Sequence, residues 1–304
     1  MRLGWRRGVA SLLIAVAVAA CGTGGTDGAA DAPVKVITTT TIFADMVRQV
    51  GGDRVSVESL VPRGGEVHTF DPTPGDIRRI TEADLAFRNG LGLDDWLASL
   101  IEDAGTTAPL VALGEDLPGT TLIEGEAGSG EAVNPHLWMN VAYGSRYAER
   151  IAEQLTKVDP AGAAVYRTGL AGYQARLAAL DADARDELGS IPEASRTVVS
   201  FHDAFPYFAA AYGLTVDGTI VDAPGQDPSA GAIAALVDAI RTHGVKAIFA
   251  EAQFNPDLGQ TIASETGATV VASLYTDSVG EPPQDTYESM MRWNVDQVVA
   301  ALKG

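Results

Sequence analysis

Short runs of β-branched and aliphatic residues alternate with longer stretches in which apolar residues recur every three or four positions. This alternation predicts an α/β chain with mainly parallel sheets. Residues 34–38 read as a strand, 42–50 as a helix closed by Gly51-Gly52, and 55–61 as a second strand. Residues 83–87 and 110–113 continue the strands, with helices beginning near Pro74 and Leu93. A first lobe therefore covers 34 to about 158.

A longer helical pattern then begins at Asp159-Pro160, where aspartate caps and proline takes the first helical position. Val165, Tyr173, Leu177, Leu180, Ala184 and Leu188 follow at helical spacing. At about 1.5 Å per residue such a helix reaches roughly 40 Å, enough to cross a lobe. It predicts a rigid connector over 159–190. A second lobe, 191–304, repeats the rhythm, with strands at 197–200, 216–221, 245–250 and 268–272 and helices near 204–211, 229–242, 256–266 and 284–302. The fold class is thus two α/β lobes joined by one long helix. In open parallel sheets ligands bind outside the carboxyl ends of the strands, so chemistry is sought in the loops that follow them.

The first twenty residues depart from this rhythm. Arg2, Arg6 and Arg7 precede an apolar run over 9–20, and then comes Cys21, the only cysteine of the chain. A basic start, an apolar core too short to span a bilayer comfortably and small residues before the cut predict a secretory signal over 1–20. Val18-Ala19-Ala20-Cys21 resembles a bacterial lipobox, which predicts a lipid on Cys21 and an extracytoplasmic, membrane-anchored protein. A single cysteine also cannot close an internal disulfide. Residues 21–33 are small and polar, the composition of a flexible tether. Without the three arginines that precede Cys21, 18 basic residues face 40 acidic ones, a formal charge of −22. Such an acidic body disfavours nucleic acid and anionic surfaces.

Only four histidines occur. His243 lies at the end of a predicted helix before Gly244, where a histidine complements the helix dipole and glycine closes the turn, so it reads as structural. His68 follows the second strand and His202 follows the strand at 197–200, while His136 lies in Asn134-Pro135-His136. Each alone is as well read as a hydrogen-bonding loop residue. Together they are three neutral imidazole donors split between two lobes, and Asp277, after the strand at 268–272, is a carboxylate able to complete a tetrahedral set. Three such imidazoles, near pKa 6.5, predict metal affinity that falls below about pH 6.

Five segments carry a resemblance: Pro62 with His68-Thr69-Phe70-Asp71-Pro72-Thr73-Pro74, Asn89-Gly90-Leu91-Gly92-Leu93, Asn134-Pro135-His136-Leu137-Trp138, His202-Asp203-Ala204-Phe205-Pro206-Tyr207-Phe208, and Tyr212-Gly213-Leu214. In this order they resemble the ZnuA/TroA-type family, the zinc and manganese substrate-binding lipoproteins of ABC importers. The resemblance implies a two-lobed fold with the metal in the interlobe cleft, ligands at His68, His136, His202 and Asp277, and a membrane permease as partner. It further implies Zn2+ as the captured ion, with Mn2+ or iron as the alternative, and a monomer. Residues 120–133 lack the His-rich loop of some zinc members, and the glutamate usual after the Gly-Leu turn is here Asp94 or Asp95. Glu251, at the end of a strand, reads either as a partner orienting a ligand imidazole or as a solvated carboxylate.

An enzyme is the first rival, yet the chain holds no His-Glu-x-x-His, no Gly-x-Ser-x-Gly and no Walker-type loop. A four-ligand site would also leave no open position for an activated water. A surface adhesin with a structural metal and a siderophore binder are the other rivals. The latter would need an aromatic or basic cleft in place of converging histidines.

Overall fold

The structure, a computed structural model, describes residues 1, 32–125, 132–221, 225, 227–252 and 257–303. The predicted signal segment, Cys21 and nearly all of the tether lie outside the described residues. Contacts separate Met1–Ala32 from Pro33–Gly304, and every strand and helix among the described residues belongs to the second unit.

Its first half is a four-stranded parallel sheet of β1 (Val34–Thr38), β2 (Val55–Ser59), β3 (Leu85–Arg88) and β4 (Leu110–Ala112), in the order β2-β1-β3-β4. The second half repeats the design with β5 (Thr197–Ser200), β6 (Thr215–Thr219), β7 (Ala247–Glu251) and β8 (Thr269–Leu274), in the order β6-β5-β7-β8. Parallel strands must bury both faces. Along β1 this shows directly, since Val36 joins the main core and Ile37 a separate cluster with Leu60, Ile80 and Leu97 on the opposite side. Strand order reverses between β1 and β3 and between β5 and β7, and at such points a parallel sheet opens a crevice beyond its carboxyl edge.

Helices α1 (Thr41–Gly51), α2 (Pro74–Thr81), α3 (Trp96–Ala104) and α4 (Val141–Val158) accompany the first sheet. Thr40 opens α1 with a side-chain bond from the Phe43 amide, and Gly52, at φ 53°, ends it. The third helix starts at Trp96 and not near Leu93, because Gly90, Leu91 and Gly92 all have positive φ and form a turn. Buried Asp94 closes that turn by accepting from the Asn89 and Gly90 amides at 2.6 and 2.8 Å. Of the two candidates for the family's glutamate, Asp94 is therefore the one built into the fold. The sequence pattern passes over α4, an 18-residue helix whose buried face mixes Tyr147, Ile151 and Leu155 with Gly144, Ala148 and Ala152.

The predicted connector is present. A 3₁₀ turn at Pro160–Gly162 leads into α5 (Ala163–Gly189), 27 residues long. Arg54 pairs with Asp159 at 2.8 and 3.0 Å and Tyr166 donates to the same carboxylate, which pins the start of the helix. One expected core position is wrong. Val165 is exposed and Tyr166 takes its place in the buried stripe, one residue on, before Tyr173, Leu177, Leu180, Ala184 and Leu188. Helices α6 (Pro206–Tyr212), α7 (Ala230–His243), α8 (Asp257–Thr266) and α9 (Tyr287–Leu302) complete the second half. The last returns to the first: the Tyr287 amide donates to Asp45 of α1 at 2.9 Å, and the Tyr287 hydroxyl donates to the carbonyl of Trp138.

Candidate metal centre

Every residue named as a ligand sits beyond the carboxyl end of a strand. His68 follows β2, His136 lies in the segment between β4 and α4, His202 is two residues past β5, and Asp277 is three past β8. The fold brings all four together, one donor atom from each lying within 4.8 Å of the others. His136 Nε2 is 3.4 Å from His202 Nε2 and 3.4 Å from Asp277 Oδ1, while Asp277 Oδ2 is 3.6 Å from His202 Nε2 and 4.0 Å from His68 Nε2. Tetrahedral donors about 2.0–2.1 Å from a zinc ion stand about 3.4 Å apart, so His136, His202 and Asp277 stand near that spacing and His68 lies farther out. His136, His202 and Asp277 are 1% exposed, and His68, with 10% of its side chain accessible, is the most open of the four.

Each of the four loops is held by partners of its own. The carbonyl of Val67 accepts from Trp96 Nε1 at 3.1 Å, and the His68 amide donates to Glu66 Oε1 at 2.9 Å. His202 Nδ1 faces Glu251 Oε1 at 2.9 Å, and Glu251 is 1% exposed. A solvated carboxylate is thereby excluded at this position. Trp138 packs against His136 with the rings tilted by 57°, at 5.2 Å between ring centres, and donates through Nε1 to the Thr276 carbonyl at 2.8 Å, next to Asp277. Ser278, on the other side of Asp277, accepts from the Gly64 amide at 3.0 Å and pairs with the Thr41 hydroxyl at 3.1 Å. The Asp277 loop is thus fixed from the opposite half of the molecule.

The electrostatics favour a cation. Burial alone would push the His202 imidazole down, but the carboxylates of Glu251, Asp277 and Glu66 outweigh it and lift its pKa to about 10. His136 is held below the ordinary histidine range by burial, which Asp277 only partly offsets. Burial works against the Asp277 carboxylate as well, yet the imidazoles gathered around it, His136, His202 and His68, drag it well below the usual range. Glu251 and Glu66 are both raised, chiefly by burial. Three carboxylates converge on three imidazoles, a concentration of negative charge that a divalent ion resolves.

Sequence reasoning missed Glu66, Asn134 and Trp138 as parts of this site. His243 stands apart, exposed at the end of α7 against Asp217, before Gly244 at φ 68°. Among the described residues no other cluster of metal-binding side chains occurs.

Comparison with known proteins finds relatives over nearly the whole of residues 36–301. The family model described as "Zinc-uptake complex component A periplasmic" matches residues 36–301. The metal ABC transporter substrate-binding lipoprotein FimA of Streptococcus parasanguinis is 32% identical over 293 residues, 93% of each chain. The manganese-binding lipoprotein MntA of Halalkalibacterium halodurans is 31% identical over 294 residues, 96% of each. Among solved structures, the periplasmic zinc-binding protein TroA of Treponema pallidum superimposes with a TM-score of 0.81 at 27% identity, over 90% of this chain and 100% of that one.

Proposed function

The chain belongs to the zinc-uptake complex component A family, and from that premise we propose that it captures Zn2+ and delivers it to the permease of an ABC importer, with His68, His136, His202 and Asp277 as the ligands. Members of the family are solute-binding proteins of ABC transporters and not enzymes, so the chain is the substrate-binding component of a metal ABC transporter. In the proposed assignment the lobes are 34–158 and 191–304, with 159–190 as the connector. Glu251 accepts the Nδ1 proton of His202 and so turns Nε2 toward the ion, the role a carboxylate takes behind a metal-binding histidine.

The observation that carries the choice of zinc is the donor set: three imidazoles and one carboxylate at separations suited to four-coordination. The harder Mn2+ favours more carboxylate oxygen. Manganese is the second reading, favoured by the printed name of the relative from H. halodurans. The test is competitive titration of the dialysed protein with Zn2+ and Mn2+. Zinc is expected to bind more tightly by at least about a hundredfold, in line with the order of divalent affinities at nitrogen-rich sites. Equal affinities, or preference for manganese, would overturn the zinc assignment and leave the transporter reading intact.

An anchored position is part of the same proposal. No helix of the described residues is long and apolar enough to cross a membrane, and FimA and MntA are both lipoproteins. Cys21→Ser is expected to move the protein from the membrane fraction to the soluble exported one or to block its processing. Unchanged fractionation by detergent partition would remove the lipid on Cys21.

A further inference from the structure

Asn134 has no role in the proposed capture of zinc, yet it is fully buried between the two histidines that come from opposite halves of the molecule. It precedes Pro135, and its side chain folds back in the Asx turn that favours asparagine at such a place. Oδ1 lies 3.0 Å from the His136 amide nitrogen and 3.2 Å from the His136 ring Nδ1. On the other side Nδ2 lies 2.6 Å from the carbonyl of Asp203 and 2.8 Å from its Oδ2. Asp203 is the residue after His202.

These contacts fix which end of the amide is which. A backbone N–H can only donate, so the atom facing the His136 amide is oxygen, and the NH₂ group faces two acceptors on Asp203. The reversed amide would set donor against donor and acceptor against acceptor. Since Oδ1 is also the partner of the His136 ring, Nδ1 carries the imidazole proton. Nε2 is then the lone-pair nitrogen, and it is the atom 3.4 Å from both His202 Nε2 and Asp277 Oδ1.

We infer that Asn134 is a positioning residue that fixes the metal-binding tautomer of His136 and ties the His136 loop of one lobe to the His202 loop of the other. The inference rests on the reading of His136 and His202 as ligands. The work of a bound carboxylate at His202 is done at His136 by a neutral amide, and the spare NH₂ of that amide spans the cleft. Two ligands from separate sheets are thereby held at donor spacing before any ion arrives, which removes ordering cost from binding. The Tyr207 hydroxyl supports the arrangement by donating to the Asn134 carbonyl at 3.0 Å.

The test uses the full chain with Zn2+ as the probe and three variants, Asn134→Ala, the swapped pair Asn134→Asp with Asp203→Asn, and His136→Ala. Competition against a fluorescent chelator gives the affinity, and long-range ¹H–¹⁵N imidazole spectra of the metal-free protein give the tautomer. Asn134→Ala is expected to weaken zinc binding by about ten- to a hundredfold, the range for partners behind a ligand, and to lose the Nδ1–H pattern of His136. The swapped pair returns an acceptor to His136 and, through D203N, an NH₂ donor across the cleft, but it sets the second oxygen of N134D against the Asp203 backbone carbonyl, to which Asn134 Nδ2 donates in the native chain. It is expected to regain the Nδ1–H pattern and an affinity between that of Asn134→Ala and that of the native protein.

Loss of zinc binding in His136→Ala, with native affinity and tautomer in Asn134→Ala, would overturn the positioning role and leave the ligand set standing. Native binding in His136→Ala would overturn the ligand reading itself. Should Asn134→Ala fail to fold, the swapped pair decides alone. If the pair melts like the native metal-free protein but binds zinc as poorly as His136→Ala, the link across the cleft is wrong.

Discussion

Asp277→Asn is expected to lower zinc affinity by at least about a hundredfold and to erase the rise in melting temperature that the ion produces. The substitution keeps the shape of the side chain and removes its charge. Asp277 is the only carboxylate among the four donors, and its two oxygens reach all three imidazoles, at 3.4, 3.6 and 4.0 Å. Outer partners of a metal site are worth about ten- to a hundredfold, and a charged ligand buried among imidazoles exceeds them. An ion present at a hundred times its dissociation constant stabilises the native state by about 2.7 kcal/mol. For a chain of this size each kcal/mol is worth about 2–4 °C, so the native protein gains on the order of 5–10 °C. His68→Ala, His136→Ala and His202→Ala should each lose most of that gain, whereas His243→Ala, out on the end of α7, should keep it. Differential scanning fluorimetry with and without zinc reads all of them, and equal shifts in all four histidine variants would sink the site.

The strands were legible because parallel strands buried on both faces make short, nearly continuous apolar runs, and β1 and β5 begin and end where those runs do. The candidate ligands were legible for a related reason. His68 and His202 follow strands, and with only four histidines in the chain two in such loops stand out. Helix α4 was passed over although its signals are present. Asn140 caps it by accepting from the Ala142 amide at 2.9 Å, but three of its seven buried residues, Gly144, Ala148 and Ala152, are small, so few large side chains carry its apolar face. Val165 reads as a stripe position because it is aliphatic, but the larger Tyr166 beside it lies on the buried face and leaves Val165 exposed. The Asx turn of Asn134 is local and could have been read. Its bond to Asp203 joins residues 69 apart and appears only once both sheets are folded. The same holds for Trp138 and Thr276, 138 apart.

The second large effect concerns protons, and the folded cleft shifts its pH window. From ordinary histidine values alone, metal affinity falls below about pH 6. Burial pulls His202 down, but Glu251, Asp277 and Glu66 outweigh it and raise the imidazole to about 10, so it remains an imidazolium at neutral pH when no ion is bound. His136, lowered by burial, is already neutral there. A metal arriving at pH 7.5 must therefore displace the His202 proton, and affinity should climb by about tenfold per pH unit from neutrality toward pH 10, as one released proton requires. The metal-free protein responds in the opposite sense. A raised imidazole contributes stability in full below its unfolded value of about 6.5 and loses it as pH rises through about 10, because the unfolded chain gives up its proton first. Asp277, lowered, contributes stability above about 3.9, lost only as pH falls through its depressed folded value. Between pH 7 and 9.5 the metal-free melting temperature should thus fall while zinc affinity rises. Calorimetry in buffers of different ionisation heat reads the proton count directly, and about one proton per ion is expected at pH 7.5. Glu251→Gln removes the carboxylate that faces His202 Nδ1, so its proton release at that pH should drop well below one and its affinity profile should flatten. A native protein whose zinc heat is independent of buffer at pH 7.5 would show that His202 holds no proton to displace.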